Sequence, residues 1–249
     1  MNYNSTNEKI LKSLKNNYSM YLQLLKEKKY EELLNKLWDA GYNYLLKDIS
    51  FMDYNNWDYI LPYDNSVAEK YQLNFINASF VDRFICCQEP KKQYVSHFYD
   101  FLNKSDIKLI ISLKNNLTFF NDKIASKVTL DDYFFTVKEY DINGKVYTQI
   151  NCHSWPDRGI LLAEQLEELY LYIKTNYPTE FYGQFNTLVH CWAGVGRTGT
   201  FIMYSLLKEM NRKITPEIFL DTLLWLRSQR HLLVESPVQL KFLAEQFIK

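Results

Sequence analysis

The sequence is poor in the residues that punctuate a chain. Only seven glycines and six prolines occur in 249 residues, and nowhere do Pro, Gly and Ser gather into a linker, a low-complexity tract or a repeat. A string of small modules is excluded, and one domain over residues 1–249 is expected. The four cysteines, Cys86, Cys87, Cys152 and Cys191, are too few for a disulfide scaffold and lack the paired CxxC spacing of a zinc site. No metal and no cofactor is expected, and reduced thiols point to a cytoplasm-like compartment. Neither sign of charge prevails, with 29 Lys and Arg against 29 Asp and Glu. Nucleic acid and membrane surfaces are therefore not expected partners. No apolar run is long enough to span a bilayer, and the first residues, MNYNSTNEKILKSLKNN, lack the apolar centre of a signal peptide. Secretion signals of other kinds need no such centre, so delivery into a host cell stays open.

What remains is apolar and patterned. A hydrophobic fraction of 47% is that of a chain with a folded core rather than a disordered one. Up to about residue 50, apolar residues recur every three to four positions between charged ones, which predicts helices. INASFV, KLIISL, YFFTVKEY and KVYTQINCHSW are β-branched and aromatic runs, and Asn143-Gly144 between the last two marks a tight hairpin. A helix is expected from Ala163 through Thr175, then the strand-like FNTLVH, a glycine-rich loop and a helix to about Arg212. Thr215-Pro216 and Ser236-Pro237 read as the caps and first turns of two further helices. The expected fold is α/β, a mixed central sheet flanked by helices. A helical N-terminal extension (about 1–50) would precede a core (about 51–249).

The glycine-rich loop carries the chemistry. Three of the seven glycines, Gly194, Gly196 and Gly199, fall in LVHCWAGVGRTGT (Leu188 to Thr200). A strand, a glycine loop and a helix start together bind an anion, through loop N–H groups and the positive end of the helix dipole. The same field favours the thiolate of Cys191. His190 can hydrogen-bond nearby carbonyls, Arg197 offers a planar fork for two phosphate oxygens, and Thr198 is near enough in sequence to donate to the sulfur. Arg197 stands where a nucleotide-binding loop would need lysine, which excludes that class. A structural cysteine at a strand end is the plain alternative.

This stretch resembles the HCxxGxxR(S/T) signature of the cysteine-dependent protein tyrosine phosphatases. Trp155-Pro156-Asp157-Arg158-Gly159-Ile160 is similar to that family's WPD loop, NNWDYILPYD (Asn55 to Asp64) to its phosphotyrosine loop, and NFINASFV to its YINAS segment. FICCQEP followed by HFYDFL is similar to its TQGP motif and aromatic helix, and LVESPVQLKF to its Q-loop. The order agrees across roughly residues 50–249. The resemblance implies a protein-tyrosine-phosphatase-like fold and hydrolysis of phosphotyrosine in a protein or peptide, without a metal. Cys191 would attack phosphorus, and Arg197 with the backbone N–H groups of Trp192, Ala193, Gly194, Val195, Gly196 and Arg197 would hold its oxygens. Asp157 would be general acid and then general base. Thr198 and Gln239 would support catalysis, Trp57, Tyr59 and Glu235 would meet substrate, and Trp155 and Gly159 would be hinges of a closing loop.

Several positions depart from the family. Trp57 replaces the usual ring-stacking tyrosine and keeps an aromatic wall. Tyr59 stands where many members have an aspartate for the substrate backbone. Glu89, in place of the TQGP glycine, reads as a local surface change, and Trp192, in place of serine, as packing beneath or beside the loop, with substrate contact the alternative. His153 reads as a strand-end side chain, Cys86, Cys87 and Cys152 as small buried ones, and Lys91, Lys92 and Lys123 as candidate cationic contacts. Glu235-Ser236 replaces Gln-Thr, and a carboxylate there would repel the phosphoenzyme, so slow hydrolysis of the intermediate is expected. Two other functions stay open. One is a phosphoinositide or inositol phosphate phosphatase with the same Cys/Arg/Asp chemistry, which the uncharged loop Trp192 to Gly196 disfavours. The other is a phosphoprotein-binding, host-directed factor with little turnover.

Overall fold

The run FNTLVH becomes β7 (Thr187–His190), the strand on which the molecule is centred. All four of its residues are buried, as expected of a strand with parallel neighbours and both faces covered. The structure is a computed structural model that describes residues 5–47, 53–115, 119–120 and 125–248; Lys123 lies outside them. Among the described residues seven strands form one mixed sheet in the order β1-β2-β7-β3-β6-β5-β4. The others are β1 (Ala78–Val81), β2 (Phe84–Cys87), β3 (Leu109–Ser112), β4 (Lys127–Asp131), β5 (Phe135–Ile142) and β6 (Lys145–Cys152). β2 and β3 both run parallel to β7, and β3 parallel to β6, whereas β1, β5 and β4 join antiparallel. The hairpin between β5 and β6 turns at Asn143 and Gly144, both at positive φ (57° and 81°), the type I′ geometry that Asn-Gly selects.

Helices cover the sheet: α4 (Ser66–Lys70), α5 (Val95–Lys104), α6 (Ala163–Asn176), α7 (Pro178–Tyr182), α8 (Gly196–Glu209), α9 (Pro216–Gln229) and α10 (Pro237–Phe247). The two caps expected from sequence are present. Thr215 Oγ1 accepts from Ile218 N, and Ser236 with Gln239 forms a reciprocal capping box. α8 ends at Glu209 rather than near Arg212, where a tight turn bonds Arg212 N to Met210 O.

The helical N-terminal region is α1 (Ser5–Lys15), α2 (Tyr18–Lys26) and α3 (Tyr30–Tyr42). Its apolar faces enter the same cluster as the sheet and α9: Ile10, Leu14, Leu33 and Leu37 pack with Phe219, Leu223 and Leu240. Lys15–Asp221 and Lys26–Glu217 flank that contact at 2.9 and 2.8 Å. Both pairs are half exposed and contribute little; burial of the leucines holds the helices in place.

The register sets the site. His190 at the end of β7 is level with Cys87 on β2 and Ser112 on β3. The chain therefore leaves the sheet at the carboxyl ends of three parallel strands, where open α/β sheets place their ligand crevices. Cys191 is the next residue.

Candidate active site

The loop from Cys191 to Gly196 is held from outside by its carbonyls. His190 Nδ1 lies 3.1 Å from Cys191 O, Glu89 N donates to Trp192 O at 2.9 Å, and Val234 N donates to Val195 O at 3.2 Å. The buried guanidinium of Arg230 donates from Nε to Gly194 O at 2.8 Å and from Nη2 to Ala193 O at 3.2 Å. A loop with its carbonyls turned outward directs its N–H groups to the concave side, which is the anion-binding arrangement. Gly194 sits at φ 70°, and a Cβ there would lie 2.0 Å from Cys87 O, so only glycine lets the loop pass this close to β2. α8 begins at Gly196 with Arg197 in its first turn, adding the dipole end.

Arg197 joins this loop to the WPD-like segment. Nη1 donates to Trp155 O and Nη2 to Asp157 Oδ1, each at 2.9 Å. Trp155 is buried and closes its own turn by an Nε1 bond to Gly159 O at 3.1 Å. The other side of the segment is held by the Q-loop-like stretch: Gln239 Nε2 donates to Gly159 O at 3.2 Å and Ser236 Oγ to Arg158 O at 2.8 Å. Glu235 lies in the same corner. Burial raises its carboxyl above the usual range, Arg158 opposes this, and the nearby Asp157 adds to the rise.

The aromatic wall comes from the segment around Trp57. Gln88 and Asn77 hold it from below, donating to Ile60 O at 2.7 Å each, and Arg230 Nη2 donates to Asn77 Oδ1 at 2.9 Å. One buried arginine therefore ties the glycine loop to the segment that carries Trp57 and Tyr59. Tyr59 leans on Trp38 of α3, with ring centroids 6.1 Å apart, so the N-terminal helices reach the edge of the site.

These parts enclose a cavity of about 360 Å³ lined by Cys191, Trp192, Ala193, Gly196, Arg197, Asp157, Trp57, Tyr59, Glu235 and Gln239, together with Arg158 and Ile60. Of the residues expected to catalyse or to meet substrate, Gly194, Val195 and Thr198 do not line it. Val195 packs its side chain against Ile60 and Leu232, leaving its backbone for the loop. The Thr198 hydroxyl is buried with no hydrogen-bond partner among the described residues, so the donation to sulfur expected from its position is not made here. Lys91 and Lys92 are not part of the lining. His153 is a strand-end side chain, its Nε2 3.1 Å from Tyr133 O, and Cys86, Cys87 and Cys152 are buried thiols. Trp192 is 37% exposed, more open than packing beside the loop implies.

Glu89 overturns its sequence reading. It is 1% exposed rather than at the surface, because the chain after β2 runs under the glycine loop. Its carboxylate lies 3.1 Å from Lys114 Nζ and 3.2 Å from His190 Nδ1, both partners fully buried. Lys114 and Arg230 were missed altogether, since a lysine after a strand and an arginine at a helix end ordinarily read as solvated. Burial pushes both below their usual values.

The protein-tyrosine phosphatase family model matches residues 52–143 and 116–249. Among characterised relatives, the chain is 24% identical over 241 residues to the Homo sapiens receptor-type tyrosine-protein phosphatase zeta, covering 78% of this chain and 10% of that protein. It is 27% identical over 240 residues to the Homo sapiens receptor-type tyrosine-protein phosphatase alpha, covering 78% and 29%. The chain thus spans less than a third of the length of either relative. Solved structures of PTPN18 share the fold. The one in complex with HER2-pY1196 phosphopeptides aligns with a TM-score of 0.73 at 17% identity, over 92% of this chain and 96% of that one.

Proposed function

Because the chain belongs to the protein-tyrosine phosphatase family, we propose that it hydrolyses phosphotyrosine in a protein or peptide, with Cys191 as nucleophile. The observation that carries this reading is the Arg197 fork, which brings Asp157 at 2.9 Å into the cavity lined by Cys191. The thiolate of Cys191 attacks phosphorus in line, the bond to the phenolic oxygen breaks, and Asp157 gives that oxygen its proton. A phenolate, with a conjugate-acid pKa of about 10, leaves poorly without one. Loop N–H groups and Arg197 hold the nonbridging oxygens through the charge redistribution. Water then attacks the phosphocysteine and gives a proton to Asp157 while the S–P bond breaks, releasing phosphate and the thiolate. Gln239 and Glu235 face that second step, and Trp57 and Tyr59 form the wall for a flat aromatic group.

The uncharged loop from Trp192 to Gly196 supports a single phosphate rather than a polyphosphorylated ring. Four free thiols support a reducing, cytoplasm-like setting, and no helix among the described residues is long and apolar enough to cross a membrane. Purified protein and a Cys191→Ser variant, given phosphotyrosine peptides, phosphoserine peptides and phosphoinositides side by side, test the reading. Turnover of phosphotyrosine that disappears with the thiol is the expected result; faster turnover of phosphoinositides would overturn it.

A further inference from the structure

Three residues that depart from the family pattern or from ordinary usage meet at one place. Glu89 N donates to Trp192 O at 2.9 Å, the Glu89 carboxylate pairs with Lys114 at 3.1 Å, and Lys114 Nζ stands over the Trp192 ring, 3.4 Å from its centroid. Lys114 is fully buried and Glu89 nearly so. A buried lysine is expensive to keep charged unless an anion accompanies it, and an aromatic face adds attraction once the cation is desolvated. Glu89 supplies the anion and Trp192 the face. His190, the residue before the nucleophile, sits on the second carboxylate oxygen.

We propose that Lys114 is a positioning residue for the Cys191 loop, kept charged inside the protein by Glu89, and that it adds a further cation to the loop's anion site besides Arg197 and Arg230. The charged and titratable groups around Cys191 come from every packed element: Cys86 and Cys87 on β2, Lys114 after β3, Asp157 and Arg158 on the WPD-like segment, His190 on β7, Arg197 on α8, Arg230 after α9, Glu235 before α10, and Glu89 beneath. The thiolate of Cys191 acts on Lys114 in the sense that keeps the lysine charged, as Glu89 does, while burial acts against it. A cation at this depth also attracts an oxyanion held in the same loop. Because Trp192 O and the Trp192 ring are both held by this pair, the unit also fixes the residue that follows the nucleophile at the mouth of the cavity. The inference rests on the phosphatase reading of the loop. Its test is independent of turnover.

Lys114→Met and the double variant Glu89→Gln/Lys114→Met are compared with the parent chain by thermal unfolding, by calorimetric binding of tungstate, and by the rate at which iodoacetamide alkylates Cys191 at pH 6. Mass spectrometry follows the new S–C bond, with Cys191→Ser as blank. The single variant leaves Glu89 buried without its cation and is expected to melt well below the parent. The double variant, with both charges gone, is expected to recover most of that loss, yet to bind tungstate about tenfold more weakly and, with the residue after Cys191 no longer clamped, to alkylate more slowly. Should the single variant precipitate, the double one carries the test. A double variant that binds tungstate and alkylates as the parent does would make the pair structural and overturn the proposal, as would one that cannot fold at all. Parent protein that binds tungstate but leaves phosphotyrosine intact would sink the functional reading and spare this one.

Discussion

Arg197 Nη2 donates to Asp157 Oδ1 at 2.9 Å, so the residue proposed to hold phosphate also holds the proposed acid. The guanidinium is almost entirely buried while the carboxylate is mostly exposed, and the Nη1 bond to Trp155 O fixes the segment behind it. A phosphate taking the fork competes with Asp157 for Nη2. In the proposed reaction, binding would therefore release the carboxyl group beside the oxygen it is to protonate.

Asp157→Asn keeps the size of the side chain and removes its proton. For a phosphotyrosine peptide kcat is expected to fall about 10²–10⁴-fold, the range of general acid catalysis, with KM unchanged or lower because a neutral amide oxygen competes less well than a carboxylate for Arg197. For p-nitrophenyl phosphate, whose leaving group is a weaker base, the loss should be much smaller. Steady-state kinetics on both substrates checks this; equal losses would remove Asp157 from the acid role.

Arg230→Met takes away the donors to Gly194 O, Ala193 O, Asn77 Oδ1 and Ser79 Oγ. Several buried acceptors left without partners should cost about 3 kcal/mol or more. Urea unfolding measures that loss. Tungstate binding by the still-folded fraction should also weaken, because the loop carbonyls are then free to turn inward.

The parts of this molecule legible in the sequence are those set by short-range rules. Asn143-Gly144 selects its turn by φ alone, and Thr215 and Ser236 cap helices three residues away, whereas the grouping of Asp157 with Cys191 and Arg197 came from the family resemblance. What escaped depends on distant partners. Glu89 reads as surface until Lys114, 25 positions along the chain, is brought beneath the same loop by β2 and β3 flanking β7. Arg230 reads as a solvated helix end until four acceptors from other segments surround it. β4 carries a brief alternation in Lys127-Val128-Thr129-Leu130-Asp131, but at five mainly exposed residues it lacks the apolar weight of the other strands.

Glu235→Gln tests the departure in the Q-loop-like stretch. Burial, with Asp157 adding, raises the folded-state value of Glu235 above that of the unfolded chain, and Arg158, Arg227 and Arg197 oppose this. The raised value contributes stability below the ordinary carboxylate range, and this is lost as pH rises through the folded-state value. The glutamine variant should therefore gain on the parent as pH rises from about 4 to neutral, seen as a flatter dependence of melting temperature on pH. Its kinetics should change in one step. With the negative charge beside the phosphocysteine gone, hydrolysis of the intermediate accelerates and a rapid-quench burst present in the parent shrinks. An active parent without any burst would show that Glu235 does not slow the second step.

Gly194→Ala separates two constraints that act on one backbone position. Gly194 and Gly144 both have positive φ, 70° and 81°, and an L-residue there costs on the order of 1–2 kcal/mol. They differ in surroundings: a Cβ on Gly144 meets nothing within 4 Å, whereas one on Gly194 falls 2.0 Å from Cys87 O and 2.4 Å from its carbonyl carbon. That carbonyl belongs to β2, paired with β7 up to His190, so it can retreat only if the strand beside the nucleophile shifts. Gly144→Ala should accordingly cost about 1 kcal/mol and leave tungstate binding intact. Gly194→Ala should cost about 4 kcal/mol or more and abolish tungstate binding, since the alternative to unfolding is a loop pushed away from β2 with its N–H groups no longer converging. Urea titration of both variants, with calorimetry on whatever remains folded, gives the comparison. If the two alanine variants behaved alike, the close approach of loop and strand would not be what shapes the anion site.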